Sequence, residues 1–192
     1  MAASATMYHL QIELSDVDRA VYQALDLRVA RHPSETMRYL LTRVIAYCLC
    51  FEEGIAFTRG LSTTDEPAAW VKDAHGNLRS WIEIGSPSVE RLHKASKASP
   101  RVVVFTHNDP ALLKKAARGK SIHKADDIEV YALDGALLDA LDSATDRNAR
   151  WAVVHTEGML YITSGDTSLS GSVTRHSLTK EATATATATS GG

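Results

Sequence analysis

The sequence predicts an α/β protein built on a mixed sheet, and three observations predict it. Between residues 34 and 106 the apolar periodicity runs helix, strand, strand, strand, helix, strand. Two alternating segments precede that block as N-terminal strands, and residues 151–156 and 159–163 follow it as a C-terminal β-hairpin around Glu157-Gly158. The 192 residues, with 44% hydrophobic and 23% charged content, have ordinary globular values and suffice for one real core.

The elements follow in chain order. Residues 1–6 read as a loose end. Tyr8-His9-Leu10-Gln11-Ile12-Glu13-Leu14 alternates apolar and polar, as does Leu25-Asp26-Leu27-Arg28-Val29, which makes a strand pair. Pro33 and Ser34 open a helix with Ser34 as N-cap. Its apolar stripe is Met37, Leu40, Leu41, Val44, Cys48 and Phe51, and Gly54 closes it as a C′ residue. Residues 55–59, 68–72 and 78–84 read as strands, with Pro67 ahead of the second, where a strand tolerates proline, and 74–77 as a hairpin loop. Gly85-Ser86-Pro87-Ser88 breaks the third strand and caps a helix over 89–98, and 101–106 is a buried strand. A short helix over 110–118, a strand over 128–133 and a helix over 135–141 lead to the final hairpin. Residues 1–178 form one domain. Residues 179–192 are Ala/Thr-rich, carry no packing pattern and read as a disordered tail.

A net charge of −2 argues against a non-specific, high-affinity DNA binder. The charge is uneven, however. From 85 to 124 the bases Arg91, Lys94, Lys97, Arg101, Lys114, Lys115, Arg118, Lys120 and Lys124 meet only Glu90 and Asp109, which makes either a solvated face or a track for a polyanion. Cys48 and Cys50 lie in an apolar helical run with neither disulfide nor zinc spacing, so they read as small buried hydrophobes. No apolar run reaches the roughly 18 residues of a membrane helix, and no positive stretch leads into an apolar one at the N-terminus. The expectation is a soluble cytoplasmic protein with no membrane partner. There is no glycine-rich phosphate loop, no Gly-x-Ser-x-Gly elbow and no histidine pair at metal-ligand spacing.

One charge stands out. Glu83, in Trp81-Ile82-Glu83-Ile84-Gly85, sits in a strand apolar on both faces, where an ionised carboxylate costs several kcal/mol unless a metal, a cation or hydrogen bonds compensate it. If Asp73 pairs with Leu78, Glu83 falls opposite Ala68, and Asp65 and Glu66 lie just beyond. Three carboxylates then converge at one end of the sheet, enough for Mg²⁺ or Mn²⁺, which takes one or two carboxylates plus water. The plainer readings are a solvated acidic loop for Asp65 and Glu66 and a salt bridge to Arg59 or Arg79 for Glu83. Glu35 is either a further ligand or an acid in a first helical turn, favoured by the helix dipole. Lys94 lies opposite the face Val89, Leu92 and Ser96 present for packing and forms an ordinary i,i+4 pair with Glu90, whereas Arg91 and His93 flank that face and reach inward more easily. His32 reads as a turn residue beside Pro33, close enough to Glu35 to orient a phosphate or carboxylate.

Several blocks in order resemble the YaeQ family of bacterial proteins: Arg31-His32-Pro33-Ser34-Glu35-Thr36, Phe57-Thr58-Arg59-Gly60-Leu61, Asp65-Glu66-Pro67-Ala68-Ala69-Trp70, Trp81-Ile82-Glu83-Ile84-Gly85 and Val103-Val104-Phe105-Thr106. The resemblance runs from about Met7 to about Leu178. It implies a variant of the PD-(D/E)XK, restriction-endonuclease-like core, whose αβββαβ order is the order read above. It also implies metal ligands at Asp65 or Glu66 and at Glu83, with Glu35 as the acid of the first helix. The family has no established biochemical function. The lysine two residues after the third-strand acid is not matched, because Gly85 stands there, and Lys94 on the following helix is the substitute the resemblance nominates. The expected function is a Mg²⁺- or Mn²⁺-dependent phosphodiesterase on nucleic acid, with catalytic Glu35, Glu83 and Lys94. The alternative is a non-catalytic protein that binds nucleic acid or a protein partner on the same scaffold.

Overall fold

The structure, a computed structural model, describes residues 4–59 and 65–179. Among them, the chain runs β1 (Thr6–Asp16), β2 (Val21–Arg31), α1 (Met37–Leu49), β3 (Ile55–Phe57), β4 (Ala69–Lys72), β5 (Leu78–Ile84), α2 (Val89–Ala98), β6 (Arg101–Thr106), α3 (Pro110–Ala117), β7 (Glu129–Leu133), α4 (Gly135–Ala144), β8 (Asn148–Thr156), β9 (Met159–Ser164) and β10 (Thr167–Ser177). The α/β class, the αβββαβ order, the N-terminal strands and the C-terminal hairpin are all present. The disordered-tail expectation falls on residues 180–192, outside the described residues.

All ten strands join one mixed sheet in the order β2-β1-β8-β9-β10-β7-β6-β5-β4-β3, which curls until it is nearly closed. β1 pairs with β8 in parallel, as do β5 with β6 and β6 with β7, while the hairpins are antiparallel. Inside the curl lies α1, buried on nearly every side from Leu40 to Leu49, as an apolar helix enclosed by a sheet must be. Leu10, Ile12 and Leu14 of β1 face it together with Ile82, Val103, Phe105, Trp151 and Val153, and Leu137, Leu138 and Leu141 of α4 complete this core. Gly171 lets α4 lie directly on β10, since a Cβ there would stand 2.6 Å from that of Leu137. A second, smaller core covers the outer face of β5, β6 and β7, where α2 and α3 bring Leu92, Ala95 and Leu113 onto Trp81, Val102, Val104 and Val130.

Four details differ from the sequence reading. The N-cap of α1 is Thr36, whose side chain accepts from the Tyr39 N–H, not Ser34. The helix ends at Leu49, and Gly54 (φ +88°) instead forms the turn into β3, where a Cβ would come within 1.9 Å of the Lys72 carbonyl oxygen. The register Ala69↔Ile82 through Val71↔Ser80 is the expected one, but a bulge at Arg79 sets Lys72 opposite Leu78 and leaves Asp73 to bond Asn77 (3.0 Å). The C-terminal hairpin continues into β10, a strand too rich in Ser and Thr to show an apolar alternation. Cys48 and Cys50 are buried and free, and burial pushes both thiols up to about 12, in keeping with small hydrophobes.

Candidate functional site

β5 is regular from Ser80 to Ile84, so its side chains alternate between the two cores. Ile82 and Ile84 face α1, and Trp81 and Glu83 face outward under α2. Glu83 is 3% exposed. Two donors reach it: the Trp81 indole Nε1–H at 2.5 Å and the Arg91 Nε–H at 2.7 Å. Both end on Oε1, so Oε2 takes no donor from the described residues. Burial pushes the Glu83 carboxyl up, and the bonds from Arg91 and Trp81 oppose that only in part.

The neighbouring acids converge on the same helix. Ala68 N–H donates to Ile82 C=O at 3.0 Å, which carries the β4–β5 pairing one step past the strand and brings 65–66 beside the end of β5. Arg91 Nη2 donates to the Glu66 carbonyl at 2.6 Å, so one guanidinium ties Glu83 to that segment. Lys94 Nζ meets Asp65 Oδ1 at 2.5 Å, and that hydrogen bond holds the Asp65 carboxyl below its usual range. Glu66 pairs with Arg59 at 3.0 Å. Asp65, Glu66, Glu83, Arg91 and Lys94 are thus assembled in one place, each acid beside a cation. Lys94 remains exposed, as its helical position requires, yet reaches across to a partner 29 residues away.

Glu35 hydrogen-bonds to none of these groups. It precedes the N-cap rather than lying in the first turn, and it turns inward on the α1 side of the sheet. There its Oε2 accepts from His32 N–H at 2.8 Å, and Arg43 Nη2 stands 3.2 Å from Oε1. The His32 imidazole bonds Ser34 Oγ at 2.6 Å, closing the turn before the helix. What links the two halves is Tyr39, which the sequence reading passed over. Burial pushes its phenol up to about 12, and the charges of Arg43, Glu35, Glu83 and Arg91 all act on it. Beside it His107, at the end of β6, makes an edge contact at 6.2 Å and approaches Thr42 Oγ1 at 3.4 Å. Burial, then the charge of Arg38, pushes that imidazole down. The one legible signal for Tyr39 was its place four residues after Glu35, on the same side of the chain entering α1.

Among the described residues no group of three His, Cys, Asp or Glu side chains is gathered to hold a metal ion. A magnesium site does not require three, because this ion commonly binds one or two carboxylates with water and substrate oxygens. An oxygen-only donor set in which one oxygen of Glu83 has no donor among the described residues fits that pattern.

A family model described as "YaeQ protein" matches residues 1–173. The uncharacterized protein YaeQ of Escherichia coli (strain K12) is 31% identical over 176 residues, covering 91% of this chain and 97% of that one. The corresponding uncharacterized protein of Salmonella typhi is 32% identical over 164 residues, 84% of this chain and 90% of that one. The crystal structure of YaeQ from Xanthomonas axonopodis pv. citri superposes with a TM-score of 0.82 at 30% identity, covering 90% of this chain and 98% of that one. That of Pseudomonas syringae gives 0.80 at 29% identity, with 92% and 97% covered.

Proposed function

This chain belongs to the YaeQ family, and from that premise we propose that its Glu83 centre serves a Mg²⁺- or Mn²⁺-dependent phosphodiesterase acting on nucleic acid. The observation that supports this most is the uncommitted Oε2 of buried Glu83 beside Asp65 and Glu66. In this reading Glu83 with Asp65 or Glu66 holds the ion. When bound, the ion supplies Lewis acidity and a more acidic water. Lys94–Asp65 is an exposed pair screened by water, so the Asp65 carboxylate leaves it readily. Lys94 and Arg91 then turn toward the phosphate and neutralise charge as it develops. Glu35, bonded to His32 and Arg43, would act on this centre only through its charge, which Tyr39 also feels. The basic residues from Arg91 to Lys124, apart from Arg101 of β6, which is held by Glu129, lie on α2, α3 and the segment after them and track the nucleic-acid backbone.

One observation favours the second reading, a non-catalytic binder of nucleic acid or of a protein partner. All four acids already have cationic partners, and Gly85 stands where a catalytic lysine would. Cleavage of labelled single- and double-stranded DNA and RNA with Mn²⁺ separates the two. Wild type is expected to cut and Glu83→Gln to lose cutting. Full activity in the variant removes the site assignment, and no cleavage by folded wild type leaves the binding reading.

A further inference from the structure

At the far end of α1 from Glu83, the inner face of several strands changes from apolar to polar where the strands line one cavity. Asp16 follows Leu10, Ile12 and Leu14 on β1, His155 follows Trp151 and Val153 on β8, and Arg175 follows Val173 on β10. Arg101 at the start of β6 and Tyr131 in the middle of β7 line the same cavity. The pairings bring these strands to one mouth of the curled sheet, β1, β8 and β10 by their C-terminal ends and β6 and β7 by their N-terminal ends. The mouth encloses a cavity of about 330 Å³ walled by Leu49, Cys50, Phe105, Tyr131 and Val173. Barrel mouths with an apolar wall and a few fixed polar groups are common small-molecule sites.

The polar groups here are fixed, with one exception. Asp16, fully buried, accepts from the Arg19 backbone N–H (3.3 Å) and bonds His155 Nδ1 (2.9 Å). Arg19 donates to the carbonyls of Leu49 and Phe51, which covers the negative end of α1 that would otherwise repel an anion. Glu129 is held by Arg101 (2.8 Å) and by the Tyr131 hydroxyl (2.9 Å), and Asp18 accepts from the Glu157 N–H (2.9 Å) with the His155 imidazole 3.8 Å away. Every acid at the mouth therefore has donors. Arg175 is held less firmly, by the charge of nearby Glu129 and not by a bond. It is exposed, stands opposite Tyr131 across β7 and β10, and makes no hydrogen bond or ion pair with the described residues. The Phe105 and Tyr131 rings stack at 5.2 Å and 19°, giving the cavity a flat wall.

We infer that this mouth binds a small organic anion with a flat apolar body, its carboxylate or equivalent on Arg175 and its body against the Phe105–Tyr131 wall. The inference does not rest on the phosphodiesterase reading, because the two sites sit at opposite ends of α1.

Calorimetric titration with three indole probes of similar shape tests it: indole-3-acetate, neutral indole-3-acetamide and cationic tryptamine. The acetate is expected to bind, about tenfold more tightly than the amide. Arg175→Gln should erase that preference, while Arg150→Gln, which removes an exposed charge from the outer face of β8, should preserve it. Arg175 is exposed, and an unchanged melting temperature confirms that its variant folds. Absence of acetate binding at millimolar concentration overturns the inference. So does equal or tighter binding of the amide or the amine, or an acetate preference that survives Arg175→Gln.

Discussion

Glu83 carries its charge against its surroundings. Burial raises its carboxyl above the ordinary value of 4.5, so the folded chain holds this proton more tightly than the unfolded chain does. The sign of the linkage follows: the contribution of Glu83 to stability is complete below 4.5 and is lost as pH rises through the folded value. Gln in its place still accepts from Trp81 and Arg91 through its amide oxygen but never ionises. Thermal melts across pH 4 to 8 without metal should therefore show a flatter pH dependence for Glu83→Gln, with equal or higher stability at neutral pH. A variant clearly less stable at neutral pH would mean that the Arg91 ion pair is structural. The same melts with millimolar Mn²⁺ bear on the ligand role, since an ion at 100 times its dissociation constant adds about 2.7 kcal/mol to a folded state that alone binds it.

At the scale of elements, the turn into β3 shows how backbone geometry outranks a local reading. Gly54 was legible as a helix-ending glycine, and it is needed for its positive φ, but its neighbour is β4 rather than the helix it follows. Gly54→Ala forces a Cβ onto the Lys72 carbonyl oxygen and threatens the 3.1 Å bond from Lys72 N–H to Gly54 C=O that pins β3 to β4. The loss should exceed about 1 kcal/mol, read from the urea midpoint. β1 was legible by its alternation, because half its residues face a core, and β5 by an apolar run that faces a core on each side. The N-cap of α1 was not, because Ser34 and Thr36 both cap well and the choice is settled by Glu35 turning inward to Arg43. β10 was hidden because its stability comes from β7 and β9 on either side rather than from its own composition. At the site, the placing of residues 65–66 beside the end of β5 follows from hairpin register and could be read, but the described residues gather no cluster of three carboxylates, and the Lys94–Asp65 pair and the position of Tyr39 depend on contacts between elements that no local pattern encodes.

For the molecule as a whole, the nearly closed sheet leaves its two outer strands, β2 and β3, at a seam, and α1 supplies what crosses it. Arg43, 4% exposed, donates to the Ala30 carbonyl of β2 at 2.7 Å and lies 5.7 Å over the Phe57 ring of β3. Glu35, next to it, neutralises the charge that this crossing buries. The arrangement is incomplete, since Glu35 Oε1 and Arg43 Nε are buried without hydrogen bonds, so the pair holds the seam without being an optimal ion pair. Such pairs are dear to break and cheap to replace. Arg43→Met leaves Glu35 buried with an uncompensated charge and should cost about 3–5 kcal/mol, on the order of 10 °C in melting temperature for a chain of this size. Adding Glu35→Gln to that variant removes the stranded charge while keeping an acceptor for the His32 N–H. The double variant should therefore recover most of the loss. If it is instead as unstable as the sum of the two single variants, the seam depends on the charges of Glu35 and Arg43 separately, and the buried pair is not what joins the two edges of the sheet.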